Sequence, residues 1–332
     1  HPVPLLLALL LSAHGLRKGS LSTSGSIAAF FVGYLSLAVE GNKTFGVVLL
    51  CFYLAGSRAT KVKSEFKAKC EREEGTGQHK SAGGGGRDAW QVANFSLLPT
   101  CCAFTGTFAA VAYRIVLSSL SSNASTSSFL PSWLSPTSST LGACPLTHPT
   151  LRFLANLSLA HYAACMGDVL ASELGILSRG EPWLLFTLRP RRVPRGTNGA
   201  LSPWGTFCSF LGGLFIGIVY LVTLHISMPA CRPAPLRPGQ SVWEPSPTLA
   251  PSGGAVSIAC MAGFGGSMLD SFLGAVCQRT WYHRGTKQVL VGGTADLPKG
   301  DAVGWTIISG YDILSNGQVN FISSAAVALT LA

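Results

Sequence analysis

Acidic residues are scarce in this chain, 14 in 332 positions, and three of them sit in or at the end of apolar stretches. Asp168 and Glu173 fall in Gly167-Asp-Val-Leu-Ala-Ser-Glu-Leu-Gly175, and Asp270 falls in Gly263-Phe-Gly-Gly-Ser-Met-Leu-Asp-Ser271. A carboxylate in hydrocarbon is costly, so each is a functional candidate by default. Packing by interhelical hydrogen bonds is the plainer use of such groups. Three acids beside the hydroxyls of Ser172 and Ser271 also suit Mg²⁺, which takes a few carboxylates and draws its remaining ligands from substrate phosphates. Asp168 and Ser172 lie one turn apart on one helix face, whereas Glu173 is about 140° around from Asp168.

Groups suited to phosphate recur at the same end of these stretches. Arg189-Pro-Arg-Arg-Val-Pro-Arg195 runs into Gly196-Thr197-Asn198-Gly199, and Ser202-Pro203 then supplies an N-cap with proline at the first helical position. A basic, glycine-punctuated loop feeding a helix start fits an anion, because the free amides there carry a partial positive charge. Lys18, Ser20 and Ser22 precede the stretch from 24 to 39 in the same way, with plain N-capping as the other reading. Lys61 and Lys63 leave the stretch from 44 to 56, and Arg87, Gln91 and Asn94 enter the stretch from 92 to 117 with one-face spacing. Asp312, Asn316, Gln318 and Asn320 add oxygen ligands or donors at the start of the last stretch.

The elements that must position these groups are membrane helices. Apolar residues make up 48% of the chain and charged ones 11%, with mean hydropathy +0.39, whereas soluble domains carry roughly 25% charged residues. Apolar stretches at about 1–13, 24–39, 44–56, 92–117, 151–167, 205–228, 253–277 and 317–332 predict an all-α, polytopic membrane domain over 1–332. Seven or eight spans are expected, some short or re-entrant. Alternation of the spans puts 19 of the 24 Lys and Arg residues on one side, which the positive-inside rule assigns to the cytosol. The sequons Asn42-Lys-Thr and Asn123-Ala-Ser fall on the other side, where glycosylation occurs. Basic residues divided among membrane loops, without aromatic interleaving, fit anionic lipid headgroups and argue against a nucleic-acid partner.

Ten cysteines show no Cys-x-x-Cys pair, and most lie in apolar runs as small buried residues. Cys144 and Cys231 share the sparsely charged side, where they could form a disulfide. Residues 70–86 and 118–150 read as flexible insertions, cytosolic and luminal respectively. The run from Gly75 to Ser81 fails as a phosphate loop, because His79 rather than glycine precedes Lys80.

Several motifs, in order, carry a resemblance over most of the chain outside the two insertions: Lys18-Gly-Ser-Leu-Ser with Ser24-Gly, Ser57 to Lys63, Gly167-Asp168 with Ala171-Ser172-Glu173, Val193-Pro with Gly196 to Gly199, Gly265 to Ser271 with Leu273-Gly-Ala, and Asp312 to Asn320. Together they resemble the integral membrane family of animal transmembrane protein 19 and plant phytyl-phosphate kinase. That resemblance implies phosphorylation of an isoprenoid monophosphate to the diphosphate at the cytosolic face, with Mg²⁺ and with CTP or ATP as phosphoryl donor. It implies Asp168, Glu173 and Asp270 on the metal, phosphates on Arg195 to Gly199 with Lys61 and Lys63 as counter-charges, and the prenyl tail among lipid. With the sequons it also implies endoplasmic reticulum or another endomembrane. The chain departs from the family where Val169 and Leu170 replace Thr and Trp, and where Phe95 replaces Gly. A transporter or flippase of an anionic lipid or metabolite would need polar residues through both membrane halves, and the luminal halves are bland. A non-catalytic scaffold accommodates the altered motif at Val169.

Overall fold

The structure is a computed structural model that describes residues 2–38, 43–72, 88–96, 98–102, 144, 146, 149–186, 190–232, 254–291 and 304–332. Each apolar stretch holds helix at its described positions: α1 (Pro2–Arg17), α2 (Thr23–Ala38), α3 (Thr44–Lys61), a short α4 (Ser64–Cys70), α5 (89–96 and 98–102), α6 (Pro149–Gly175), α7 (Pro203–Ser227), α8 (Ala255–Cys277) and α9 (Asn316–Leu331). By length and hydropathy, α7 and α8 are membrane spans, and α3 with α4 makes a third if this pair, bent by 67°, is one span. Two or three helices are thus clear spans among the described residues, which leaves the expected count of seven or eight untested. The 16-residue α1 and α2 are apolar but shorter, and α6 is long enough at 27 residues but carries Asp168 and Glu173. The insertion at 118–150, the sequons at Asn42 and Asn123, and Arg87 lie wholly or mostly outside the described residues.

Small residues decide how the central helices meet. Ala163, Gly167, Ala171 and Gly175 recur every fourth position in α6, Gly205, Ser209, Gly213 and Gly217 in α7, and Ala255, Ala259, Gly263 and Ser267 in α8. In lipid no hydrophobic force pulls helices together, so close backbone approach along such stripes supplies the packing. A methyl added to Gly263 would lie 2.7 Å from the Gly213 Cα, and one added to Gly266 would lie 2.6 Å from the Ala164 Cβ. The three helices form the centre of the bundle, with α9 against α6 and α8, and α3 against α6 and α7. Val48, Phe52, Tyr162, Ile216 and Tyr220 fill the space between them.

The two ends of the bundle differ. At one end Cys144, just before α6, forms a disulfide with Cys231, just after α7, the pairing that sequence allowed. At the other end lies a β-structured cap that an all-α reading does not contain. Strands β1 (Glu71–Arg72), β4 (Thr280–His283), β5 (Gln288–Val291) and β6 (Trp305–Ser309) form a sheet in the order β1-β5-β4-β6, and β2 (Trp183–Leu184) pairs with β3 (Arg191–Arg192). Trp281, Leu290 and Trp305 bury one side of the larger sheet. Aromatic and β-branched residues in these short runs favour strands, but a search for membrane-length stretches passes over them.

Candidate functional site

The acid pair follows from the crossing of α6 and α8. Ala164 touches Gly266, and one turn further along each helix stand Asp168 and Asp270, close enough to interact electrostatically. Both side chains are half-buried. α9 completes the site. Its Ser315 caps the first turn in a reciprocal box with Gln318, and its next turns aim donors at Asp270. The Ser323 hydroxyl donates to Asp270 Oδ2 at 3.2 Å. The Asn320 amide, turned with its nitrogen toward the oxygens, donates to the same atom at 2.9 Å and to the Asn316 carbonyl at 3.1 Å. Among the described residues, none donates a hydrogen bond to the Asp168 carboxylate.

α9 is itself anchored from below. Asn94 of α5 donates from Nδ2 to the Gly317 carbonyl at 3.2 Å, and buried His161 of α6 hydrogen-bonds through Nε2 to the Asn94 carbonyl at 3.2 Å. A polar chain therefore runs from the α6 interior through α5 to the turn that presents Asn320.

Glu173 does not join the pair. It meets Lys67 of α4 at 2.5 Å, on the face that its 140° offset from Asp168 assigns to it. Lys67 also donates to the carbonyls of Ala59 at 2.9 Å and Thr60 at 3.2 Å, closing the end of α3. Among the described residues no group of three or more His, Cys, Asp or Glu side chains gathers around one point. The three-carboxylate cluster expected from sequence is thus a two-carboxylate site with amide and hydroxyl neighbours.

The Gly196 to Gly199 turn is brought to the same end but is engaged with protein. Gly199, at φ +73°, packs against the Ser271 carbonyl and Ala275 of α8, where any side chain would collide. Asn198 donates from Nδ2 to Gln278 Oε1 at 2.6 Å, and the Thr197 hydroxyl donates to the Pro194 carbonyl at 2.6 Å. Arg195 donates to the Arg179 carbonyl at 2.9 Å and lies 5.6 Å over the Phe66 ring. Ser202 caps α7 by accepting from the Gly205 amide at 3.0 Å, with Pro203 behind it as expected. Ser22 likewise caps α2 through the Gly25 amide at 3.1 Å, and the Ser20 hydroxyl bonds Tyr53 at 2.8 Å. Lys18, Lys61, Lys63 and Asp312 are exposed at this end, and the Ser172 hydroxyl donates back to the Asp168 carbonyl at 3.0 Å. Val169 and Leu170 pack against the main core.

Two site residues escaped the sequence reading. Ser323 had a signal, since Asn316, Asn320 and Ser323 form a polar stripe at i, i+4 and i+7 in an apolar helix. Lys67 had none, because its partner is 106 positions away.

Asp168 and Asp270 are the two carboxylates here that could hold a cation, and among the described residues Asp168 has no donor. The fit is to a hard divalent ion that accepts one or two carboxylates and completes its shell with other oxygens.

Comparison with known proteins places this architecture. The family profile described as "Integral membrane protein DUF92" matches residues 6–328. Protein PGR of Arabidopsis thaliana is 26% identical over 323 residues, covering 96% of this chain and 90% of its own length. The uncharacterized membrane protein MJ0933 of Methanocaldococcus jannaschii is 38% identical over 77 residues, 23% of this chain and 32% of its own. The uncharacterized membrane protein sll0875 of Synechocystis is 28% identical over 133 residues, 40% of this chain and 41% of its own. No solved structure matches. A match that runs from α1 to α9 shows that the chain is an integral membrane protein of the DUF92 family.

Proposed function

We propose that the chain phosphorylates an isoprenoid monophosphate, of phytyl or related prenyl type, to the diphosphate at the basic, cytosolic membrane face, using Mg²⁺ and CTP or ATP. The observation that carries this reading is the Asp168 and Asp270 pair, within electrostatic reach of each other on α6 and α8 at the end of the bundle that also carries the exposed lysines. Phosphoryl transfer needs mainly positioning and charge neutralisation, which suits a site built on two carboxylates. Asp168 and Asp270 would hold the Mg²⁺, and the ion would supply counter-charge for the phosphates. Asn320 and Ser323 hold Asp270 in place, and Ser271 lies one position on. Glu173, paired with Lys67, braces α4 against α6 rather than binding the metal. Lys18, Lys61 and Lys63 lie on the same face as further counter-charges for phosphate, and a prenyl tail lies in the lipid beside the helices. An endomembrane such as the endoplasmic reticulum accords with the disulfide on the opposite side.

The test is direct. Purified chain, phytyl or geranylgeranyl monophosphate, Mg²⁺ and CTP or ATP should yield the diphosphate. Asp168→Asn and Asp270→Asn should each lower the rate by about a hundredfold or more, the scale of losing one charge-stabilising group. No product with either nucleotide would end the reading.

A further inference from the structure

The outer side of the α7 and α8 crossing carries an open groove of about 920 Å³. It lies away from the acid pair, because Met268 lines it while Asp270, two residues on, points about 160° around the helix. Phe207 and Phe210 of α7 and Phe264 and Met268 of α8 form its walls, and Leu185 closes the end next to β2. The three phenylalanines are exposed, as expected of side chains that face lipid tails.

The polar groups of the groove are graded by depth. At its basic rim stands Trp183, cross-strand partner of Arg192, whose guanidinium lies 5.2 Å over the indole ring. Among the described residues Arg192 has no acidic partner, while its neighbour Arg191 is engaged with the Ile308 carbonyl. Thr206 lies ~4.5 Å further along α7 than Pro203, and Phe210 ~10 Å further. Among the described residues the Thr206 hydroxyl has no hydrogen-bond partner, although it lines the groove. Cation, hydroxyl and apolar wall thus succeed one another in the order phosphate, ester and acyl chain of a glycerophospholipid.

We infer that this groove is a binding site for an anionic two-chain glycerophospholipid of the leaflet on the basic side. Its phosphate meets Arg192, its ester oxygen accepts from Thr206, and one acyl chain lies along Phe207, Phe210 and Phe264. The Trp183 ring occupies the headgroup level favoured by interfacial tryptophan. Arg192, without an acidic partner among the described residues, selects a net negative headgroup over a zwitterionic one. The site stands apart from the proposed phosphoryl transfer, since an occupant here is on the wrong side of α8 to reach Asp168.

The test uses the full chain in detergent, titrated with dioleoyl phosphatidylglycerol or dioleoyl phosphatidylcholine and read by native mass spectrometry. The first site should prefer phosphatidylglycerol by about fivefold, the contribution of one basic residue at a membrane surface. Arg192→Gln should abolish that preference without unfolding, because its side chain is exposed. Arg284→Gln, an exposed charge change elsewhere on the basic end, should leave it intact. Equal binding of the two lipids, an unchanged preference in Arg192→Gln, or displacement of phosphatidylglycerol by equimolar phytyl monophosphate would each overturn the assignment.

Discussion

Replacing Gly167 by alanine tests the physical basis of the site most sharply. A methyl there would meet the Gly263 carbonyl oxygen, with the Gly263 Cα at 2.6 Å and carbonyl carbon at 2.7 Å, whereas ordinary contact begins at 3.4 Å. Every one of these atoms is backbone, so no side chain can swing aside. α6 and α8 must separate by roughly 1 Å, an overpacking that costs about 1–3 kcal/mol. Asp168 is the next residue, so the separation passes straight to the gap between the two carboxylates. Displacements of about 1 Å at a reacting centre can cost a hundredfold in rate. Gly180→Ala is the matched control, since nothing lies within 4 Å of a methyl there, and it should fall within about 0.5 kcal/mol of the parent. Unfolding of the two variants in detergent, followed by circular dichroism against temperature or sodium dodecyl sulfate, gives the comparison. Equal stability of Gly167→Ala and Gly180→Ala would refute the small-residue packing that places Asp168 beside Asp270.

Other consequences follow from the same contacts. Reduction of the disulfide, or Cys231→Ser, opens a link across 87 residues and should lower stability by about 2–4 kcal/mol, read as a fall in Tm on adding a reductant. A double-mutant cycle on Lys67→Met and Glu173→Gln should give a coupling of about 1 kcal/mol that shrinks in 1 M salt, because both side chains are partly open to solvent. A coupling of zero would show that α4 is held by its backbone contacts alone. Asn320→Ala removes a donor from Asp270 and should raise the Mg²⁺ concentration needed for half-maximal activity by about tenfold, as for other groups that orient a ligand. An unchanged Mg²⁺ requirement would take the metal away from Asp270.

Sequence periodicity and charge alone determined the helical membrane class, the basic end and the Ser202-Pro203 start of α7, and they allowed the pairing of Cys144 with Cys231 that the structure then made. These are local or one-dimensional properties: hydropathy over a turn or two, the residue types at a helix start, and the order of loops along the chain. The wheel angle between Asp168 and Glu173 was equally legible, and α6 does turn them to different partners. What sequence could not decide is which distant segment fills each face. The crossing of α6 and α8 depends on three stripes of small residues meeting at one depth, and that meeting selects Asp270 rather than Glu173 as the neighbour of Asp168. The Gly196 to Gly199 turn looked like an anion cradle because glycine permits both uses, close approach to a ligand and close approach to a helix. Only the packed structure showed Gly199 lodged against Ser271 and Ala275. Contacts such as Lys67 with Glu173, or β1 with β5, join residues more than a hundred positions apart. No local signal encodes them, because their energy exists only once the helices between them have packed.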